Sequence, residues 1–309
     1  EFLDLAGYDL LVQLEQKTII AARLAESARK IFGLKGVCAE TFGIFGWNMT
    51  PEQMKQISKW QIDMGLDVVI PHALYYSLRG ERFDDCPPSF FVEKFWKNFR
   101  EYVGYVQKLL KERKVEQPKT AVFYPIESVW GLMSPNDAIE AEQVDWVFQQ
   151  TSYALYNNNI KFDYVTSKHI QDKKLMGYTT VILPSTEIIP LTTYRTIVKF
   201  AGRGGRVVVI GKPPRYATKA SDNAKLAELI SSERPKFKRI TIPGNFNQHL
   251  ERKNNDELLK NLIRKYVPNI WIARAVRIAR VLGYKKEITI NNPTALDDKI
   301  KRVFDVRDI

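Results

Sequence analysis

Residues 36–70, GVCAETFGIFGWNMTPEQMKQISKWQIDMGLDVVI, read as strand, helix, strand, and the fold turns on that reading. Gly36–Ala39 is a short apolar run of strand type, and Glu40 falls where it ends. After the Gly- and aromatic-rich stretch Thr41–Asn48 comes Thr50-Pro51-Glu52-Gln53. A Thr cap, a Pro at the first helical position and a Gln three residues beyond the cap together mark a helix start. The spacing predicts a helix to about Met64, stopped by Gly65. Asp67–Ile70 then reads as a second buried strand, closed by Pro71-His72. Two apolar strands joined through a helix require parallel pairing with the helix as the crossover.

The same rhythm extends both ways. Upstream, Thr18–Phe32 places apolar residues at helical spacing and ends at Gly33. Downstream, a polar and aromatic loop over Tyr75–Pro88 leads into a long helix over Glu93–Arg113. Two or three such units cannot close a barrel, which needs eight. Residues 1–116 are therefore expected to be the C-terminal portion of a (β/α)8 barrel, with the remainder upstream of Glu1. The charged, Pro-containing segment Lys111–Lys119 is the expected boundary.

Beyond it the alternation restarts. Thr120–Tyr124, Phe162–Val165, Val181–Pro184, Arg206–Ile210 and Lys236–Ile242 are predicted strands. Asp137–Asn157, Thr192–Ala201 and Asp256–Tyr266 are predicted helices. Apolar strands alternating with helices give an open, doubly wound parallel sheet over residues 117–268. From 269 to 309 the pattern changes, with apolar and basic residues alternating over Trp271–Leu282. That predicts antiparallel strands beginning a β-sandwich-type module.

Composition narrows the function classes. The 309 residues carry a net charge of +12, but the basic residues are scattered and no long like-charge run occurs. No RNA-binding or helix-turn-helix signature accompanies them, so no nucleic-acid partner is expected. No apolar stretch approaches the roughly 18 residues of a membrane span, so no membrane partner is expected. The two cysteines, Cys38 and Cys86, have no metal-binding spacing and cannot form a disulfide framework. Cys38 is predicted as a small buried residue. Neither a cofactor nor a metal site is predicted. The chain begins with Glu1 rather than Met, so it is expected to start after processing or within a longer protein.

In a (β/α) barrel, chemistry gathers at the C-terminal ends of strands. The first legible end places Glu40 ahead of an aromatic loop containing Phe42, Phe45 and Trp47. A carboxylate against apolar rings can act as an acid, and one held by hydrogen bonds as a base or nucleophile. The plain alternative is a Glu that caps a loop or pairs with an Arg. The second end, Ile70–Gly80, gathers His72, Tyr75, Tyr76 and Arg79. Planar donors and aromatic faces of this kind bind sugars, although a lone His is more often structural. Asp84-Asp85 continues that loop, where a sugar contact competes with an ordinary turn before Pro87-Pro88. The second domain lacks a cysteine at a strand-to-helix elbow, and Leu183-Pro184-Ser185-Thr186-Glu187 is no G-x-S-x-G elbow. Gly202-Arg203-Gly204-Gly205 follows a helix and precedes a strand, the wrong order for a phosphate cradle. That domain reads as structural.

The block Glu40–Phe90 resembles the α-L-rhamnosidase-type glycoside hydrolases. Their pattern E-x-F-G-x-x-G-W-x-x-T falls here on Glu40, Phe42, Gly43, Gly46, Trp47 and Thr50. W-Q-x-x-x-G falls on Trp60, Gln61 and Gly65, and P-H-x-x-Y-Y-S-x-R-G on Pro71, His72, Tyr75, Tyr76, Ser77, Arg79 and Gly80. D-x-P-P-S-F falls on Asp85, Pro87, Pro88, Ser89 and Phe90. The resemblance implies that Glu40 is one of two catalytic carboxylates. It also implies a carbohydrate substrate, with Trp47, His72, Tyr75, Tyr76, Arg79 and Asp85 as binding residues. The partner carboxylate is expected on an earlier strand, which makes the segment alone incomplete or inactive. The second domain is expected to be class I glutamine-amidotransferase-like (flavodoxin-like) and non-catalytic, and a candidate surface for homo-oligomer contacts. Two alternatives stay open: a β-galactosidase-like hydrolase, and a non-catalytic carbohydrate-binding or assembly module.

Overall fold

The computed structural model of the protein describes residues 3–10, 16–43, 49–72, 93–114, 117–171, 175–233 and 237–240. In the first strand, β1 (Leu5–Leu10), Ala6 and Leu10 are buried while Gly7 and Asp9 are exposed, the period-two pattern of a sheet covered on one face. The sequence pattern predicts no strand here, because Gly7 interrupts the apolar run and only the pairing partner defines the element. Helix α1 (Gln16–Phe32), β2 (Gly36–Thr41), α2 (Pro51–Asp63), β3 (Val68–Pro71) and α3 (Glu93–Glu112) follow. The three strands pair in parallel in the order β1-β2-β3.

Local chemistry explains the boundaries of α2. Thr50 Oγ1 accepts the Gln53 N–H at 3.3 Å, and Gln53 Oε1 accepts the Thr50 N–H at 2.7 Å, with Pro51 at the first helical position. The helix ends before Gly65, whose φ is +115° and where a Cβ would lie 2.9 Å from the Glu26 carboxylate. Only glycine fits both the backbone angle and that close approach.

The second sheet is built from β4 (Thr120–Phe123), α4 (Ile126–Leu132), α5 (Ile139–Asn157), β5 (Phe162–Val165), α6 (Ser167–Gln171) and β6 (Thr180–Pro184). Next come β7 (Ile188–Ile189), α7 (Leu191–Gly202), β8 (Arg206–Ile210), β9 (Tyr216–Ala217), α8 (Asn223–Glu233) and β10 (Lys238–Ile240). Five strands are parallel in the order β10-β8-β6-β4-β5, and β7 pairs with β9 apart from them. Numbered along the chain, the five-stranded order is 2-1-3-4-5, that of flavodoxin-like doubly wound sheets. Every residue of β4, β5 and β6 is buried, as expected of strands covered by helices on both faces. Gly204 has φ +88° and the Gly205 N–H donates to Phe200 O at 3.0 Å, so the Gly-rich stretch there ends a helix.

Helix α1 joins the two sheets, packing on β1 and also on α5 and β5. At its centre Asp163 of β5 is 2% exposed. It accepts from Arg23 Nη2 at 3.0 Å, Lys30 Nζ at 2.9 Å and the Tyr178 hydroxyl at 3.0 Å. Arg23 also donates to the carbonyls of Phe162 and Met64. Burial and the adjacent Asp163 push the Tyr178 phenol up. A second link is Trp60 Nε1, which donates to the Tyr156 hydroxyl at 2.7 Å.

Glu1–Tyr266 form one compact unit. The helix predicted at Asp256–Tyr266 and the strands predicted within 269–309 lie outside the described residues. Among the described residues, no helix is long and apolar enough to cross a membrane.

Asp163→Ala leaves buried Arg23 without its anion, while half-buried Lys30 keeps Glu26 at 3.5 Å, so it is expected to cost about 3–5 kcal/mol in urea unfolding. Thr50→Ala, which removes only the helix cap, is expected to cost about 1 kcal/mol in the same measurement.

Candidate active site

The site starts from the alternation in β2. Val37, Ala39 and Thr41 are buried against helices, with Val37 and Ala39 packed among Ala6, Ala25 and Leu66. Thr41 Oγ1 accepts from Gln61 Nε2 at 3.0 Å, which pins the strand end to α2. Cys38 and Glu40 therefore face the opposite side. Cys38 is half-buried rather than buried, a correction to the sequence reading. An apolar strand does not reveal which of its faces the helices cover.

Parallel pairing then lines up the open face. A Cβ on Gly7 would lie 3.2 Å from Cys38 Sγ, so those two residues share a face. Two residues further along, Asp9 pairs with Glu40, and Glu40 with Ile70. Asp9, Glu40 and Ile70 thus form one row at the C-terminal ends of the three strands. Val68 and Ile70 on this face of β3 are 40% and 48% exposed.

His72 closes the row. Its backbone N–H donates to Thr41 O at 2.8 Å, which continues the β2–β3 ladder by one residue. Its Nδ1 lies 2.7 Å from Glu40 Oε1, with side-chain exposures of 26% for His72 and 38% for Glu40. An ionised carboxylate only accepts hydrogen bonds, so Nδ1 carries the proton in this pair. One oxygen of Glu40 is thereby held and the carboxylate plane is fixed.

The backbone turns sharply just beyond. Phe42 has φ +77°, a region that non-glycine residues rarely occupy, and it is fully buried. Its ring meets Tyr102 of α3 edge-on at 5.9 Å, and the Tyr102 hydroxyl lies 2.8 Å from Ser58 Oγ. Burial pushes the Tyr102 phenol up to about 12, so it stays protonated and serves as packing with a polar tip. The strained turn sets where the chain leaves β2, two residues after Glu40.

Of the residues singled out from sequence, the structure brings Glu40 and His72 together. Trp47, Tyr75, Tyr76, Arg79 and Asp85 lie outside the described residues. Sequence reasoning missed Asp9, because its place depends on register with β2. Trp60, Gln61 and Gly65, noted as a motif, hold α2 against its neighbours and do not reach the open face. Among the described residues, no group of three or more His, Cys, Asp or Glu could hold a metal ion.

No curated protein matches the chain. The family model described as GLMA-like, second domain, matches residues 133–254, which cover most of the five-stranded sheet. Among solved structures, the rhamnosidase from Novosphingobium sp. PP1Y matches with TM-score 0.50 and 16% identity, over 77% of this chain and 25% of that one. At that identity the likeness is one of fold alone, parallel sheets with crossover helices matching part of that structure. A GH42 β-galactosidase from G. stearothermophilus matches at TM-score 0.49 and 17% identity, over 69% of this chain and 33% of that one. An α-L-fucosidase from Paenibacillus thiaminolyticus matches at TM-score 0.43 and 16% identity, over 67% and 29%. The chain thus spans a quarter to a third of the length of these solved structures.

Because Phe42 is buried and Glu40 is not, substitutions there should separate. Phe42→Ala is expected to lower stability by about 3–5 kcal/mol. Glu40→Gln should stay within about 1 kcal/mol, since its partner is a half-exposed imidazole. Urea unfolding of both variants measures the difference.

Proposed function

We propose that the protein is a glycosidase of the α-L-rhamnosidase type, hydrolysing O-glycosidic bonds with Glu40 as one of its two catalytic carboxylates. The observation that carries this reading is the 2.7 Å contact between Glu40 Oε1 and His72 Nδ1 at the ends of two adjacent parallel strands. In (β/α) barrels that rim is where substrates bind and react.

Glycoside hydrolysis needs one group to protonate the leaving oxygen and another to attack the anomeric carbon or activate water. In this reading His72 holds one oxygen of Glu40, and the second oxygen is presented to the sugar. The partner carboxylate comes from another strand of the closed barrel, across the ring from Glu40. Trp47, Tyr75 and Tyr76 offer ring faces to the apolar side of the sugar, while Arg79, Asp85 and His72 bond its hydroxyls. Residues 1–116 supply the barrel part, 117–268 a non-catalytic amidotransferase-like domain available for homo-oligomer contacts, and 269–309 the start of a β-module.

The test uses the full-length protein and a panel of p-nitrophenyl glycosides that includes the α-L-rhamnoside. Glu40→Gln is expected to lower kcat/KM by about 10²–10⁴-fold, the range for a positioned proton-transfer group. His72→Ala should lower it less, because the carboxylate remains and loses only its orientation. Full activity in Glu40→Gln removes Glu40 from the mechanism and ends the assignment.

A further inference from the structure

We infer that Asp9 is a substrate-binding residue of the same site, a carboxylate that takes a pair of adjacent sugar hydroxyls beside Glu40. The inference rests on the glycosidase reading of Glu40 and His72 and adds a residue and a substrate requirement to it. It begins with register. Asp9 is paired with Glu40 across parallel strands, and neighbouring strands lie about 4.8 Å apart. The side chain of Asp9 points to the same face as Glu40. Its neighbours Tyr8 and Leu10 go to the helices, and Gly7, two residues back, meets Cys38 on the open face.

Among the described residues, Asp9 is exposed and no hydrogen-bond or ion-pair partner lies against it. That sets it apart from Glu40, whose Oε1 is taken by His72. Among the described residues, no cation is placed against this carboxylate. A free carboxylate beside the reacting group accepts hydrogen bonds from two adjacent hydroxyls in one plane.

Geometry also decides between this role and that of the missing partner carboxylate. Acid and nucleophile must approach the glycosidic bond from different sides of the sugar. Asp9 and Glu40 stand side by side on one wall of the sheet, so they address the same side. Binding a ring hydroxyl pair is what that placement allows. Among the described strands β1 lies at the edge of its sheet, and an acidic residue there also discourages edge-to-edge pairing. That role needs only charge, so it predicts no effect on substrate affinity.

The experiment compares Asp9→Asn, Asp9→Glu and Glu40→Gln in the full-length protein, on whichever p-nitrophenyl glycoside the unaltered protein cleaves fastest. Asp9→Asn is expected to raise KM about tenfold or more, the loss of one charged hydrogen bond, while kcat stays within about threefold. Asp9→Glu should recover part of the affinity, and the urea midpoint should not move. Unchanged KM and kcat in Asp9→Asn, beside an impaired Glu40→Gln, overturn the role of Asp9 and leave the glycosidase reading standing. A kcat fall of about 10³-fold at unchanged KM, rescued by azide, makes Asp9 the partner carboxylate and equally overturns hydroxyl binding. No cleavage by the unaltered protein, or full activity in Glu40→Gln, defeats the glycosidase reading itself and the inference with it.

Discussion

Parallel pairing is the constraint from which the site follows. Strands that run the same way need a crossover between them, and each crossover returns the chain to the same starting edge. All three C-terminal ends of β1, β2 and β3 therefore lie on one rim. Asp9, Glu40 and His72 are far apart in sequence, and no local interaction would bring them together. The register does so, through Asp9 opposite Glu40 and the His72 N–H on Thr41 O. A slip of one residue would turn Glu40 toward the helices and Thr41 toward solvent. The hydrogen bonds between Thr41 and buried Gln61 resist that slip, because an unpaired buried amide is costly.

The junction between the sheets obeys a harsher rule. Taking the Asp163 carboxylate out of water costs several kcal/mol, and a single cation seldom compensates. Here two cations and a phenol converge on it, and Arg23 also donates to two backbone carbonyls. Such a cluster adds little net stability compared with an apolar contact of the same size. It does, however, penalise any arrangement in which α1 and β5 separate. The rim that carries Glu40 and the five-stranded sheet are thereby fixed in one compact unit.

How much of this was legible in the sequence depends on how local each cause is. The start of α2 could be read from Thr50, Pro51 and Gln53, because the capping box lies within four residues. Strands β4, β5, β6 and β8 of the second sheet were legible because burial on both faces makes them largely apolar runs. Strand β1 was not, since Gly7 breaks its pattern and only pairing with β2 reveals it. The short helices α4 and α6 lack enough turns for a periodic signal. Cys38 was read as buried because an apolar strand does not say which side its helices cover. Asp9 stayed hidden with β1 itself, because its place depends on register with β2. Glu40 and His72 were visible because each follows an apolar strand directly, and a strand end is recognisable without its partners.

Among the described residues, the three-stranded and the five-stranded sheet each carry a glutamate at or just beyond a strand end, so the choice between them needs a physical reason. Glu187, beyond β6, is only 2% exposed, with Lys212 Nζ at 3.0 Å and Arg215 Nη1 at 3.8 Å. Ser185 beside it has a positive φ of +35°, the kind of strained turn that can expose a nucleophile. Its Oγ instead accepts the Lys212 N–H at 3.2 Å, and a Cβ on Gly211 would lie 2.4 Å from it. The strain there closes a packed loop, and nothing of the serine is presented. At the β2 end, strain at Phe42 has the opposite result: the ring is buried while the carboxylate before it stays accessible. A substrate needs a group it can reach, held by one it cannot displace. Glu40 on its imidazole meets both conditions, and Glu187 meets only the second.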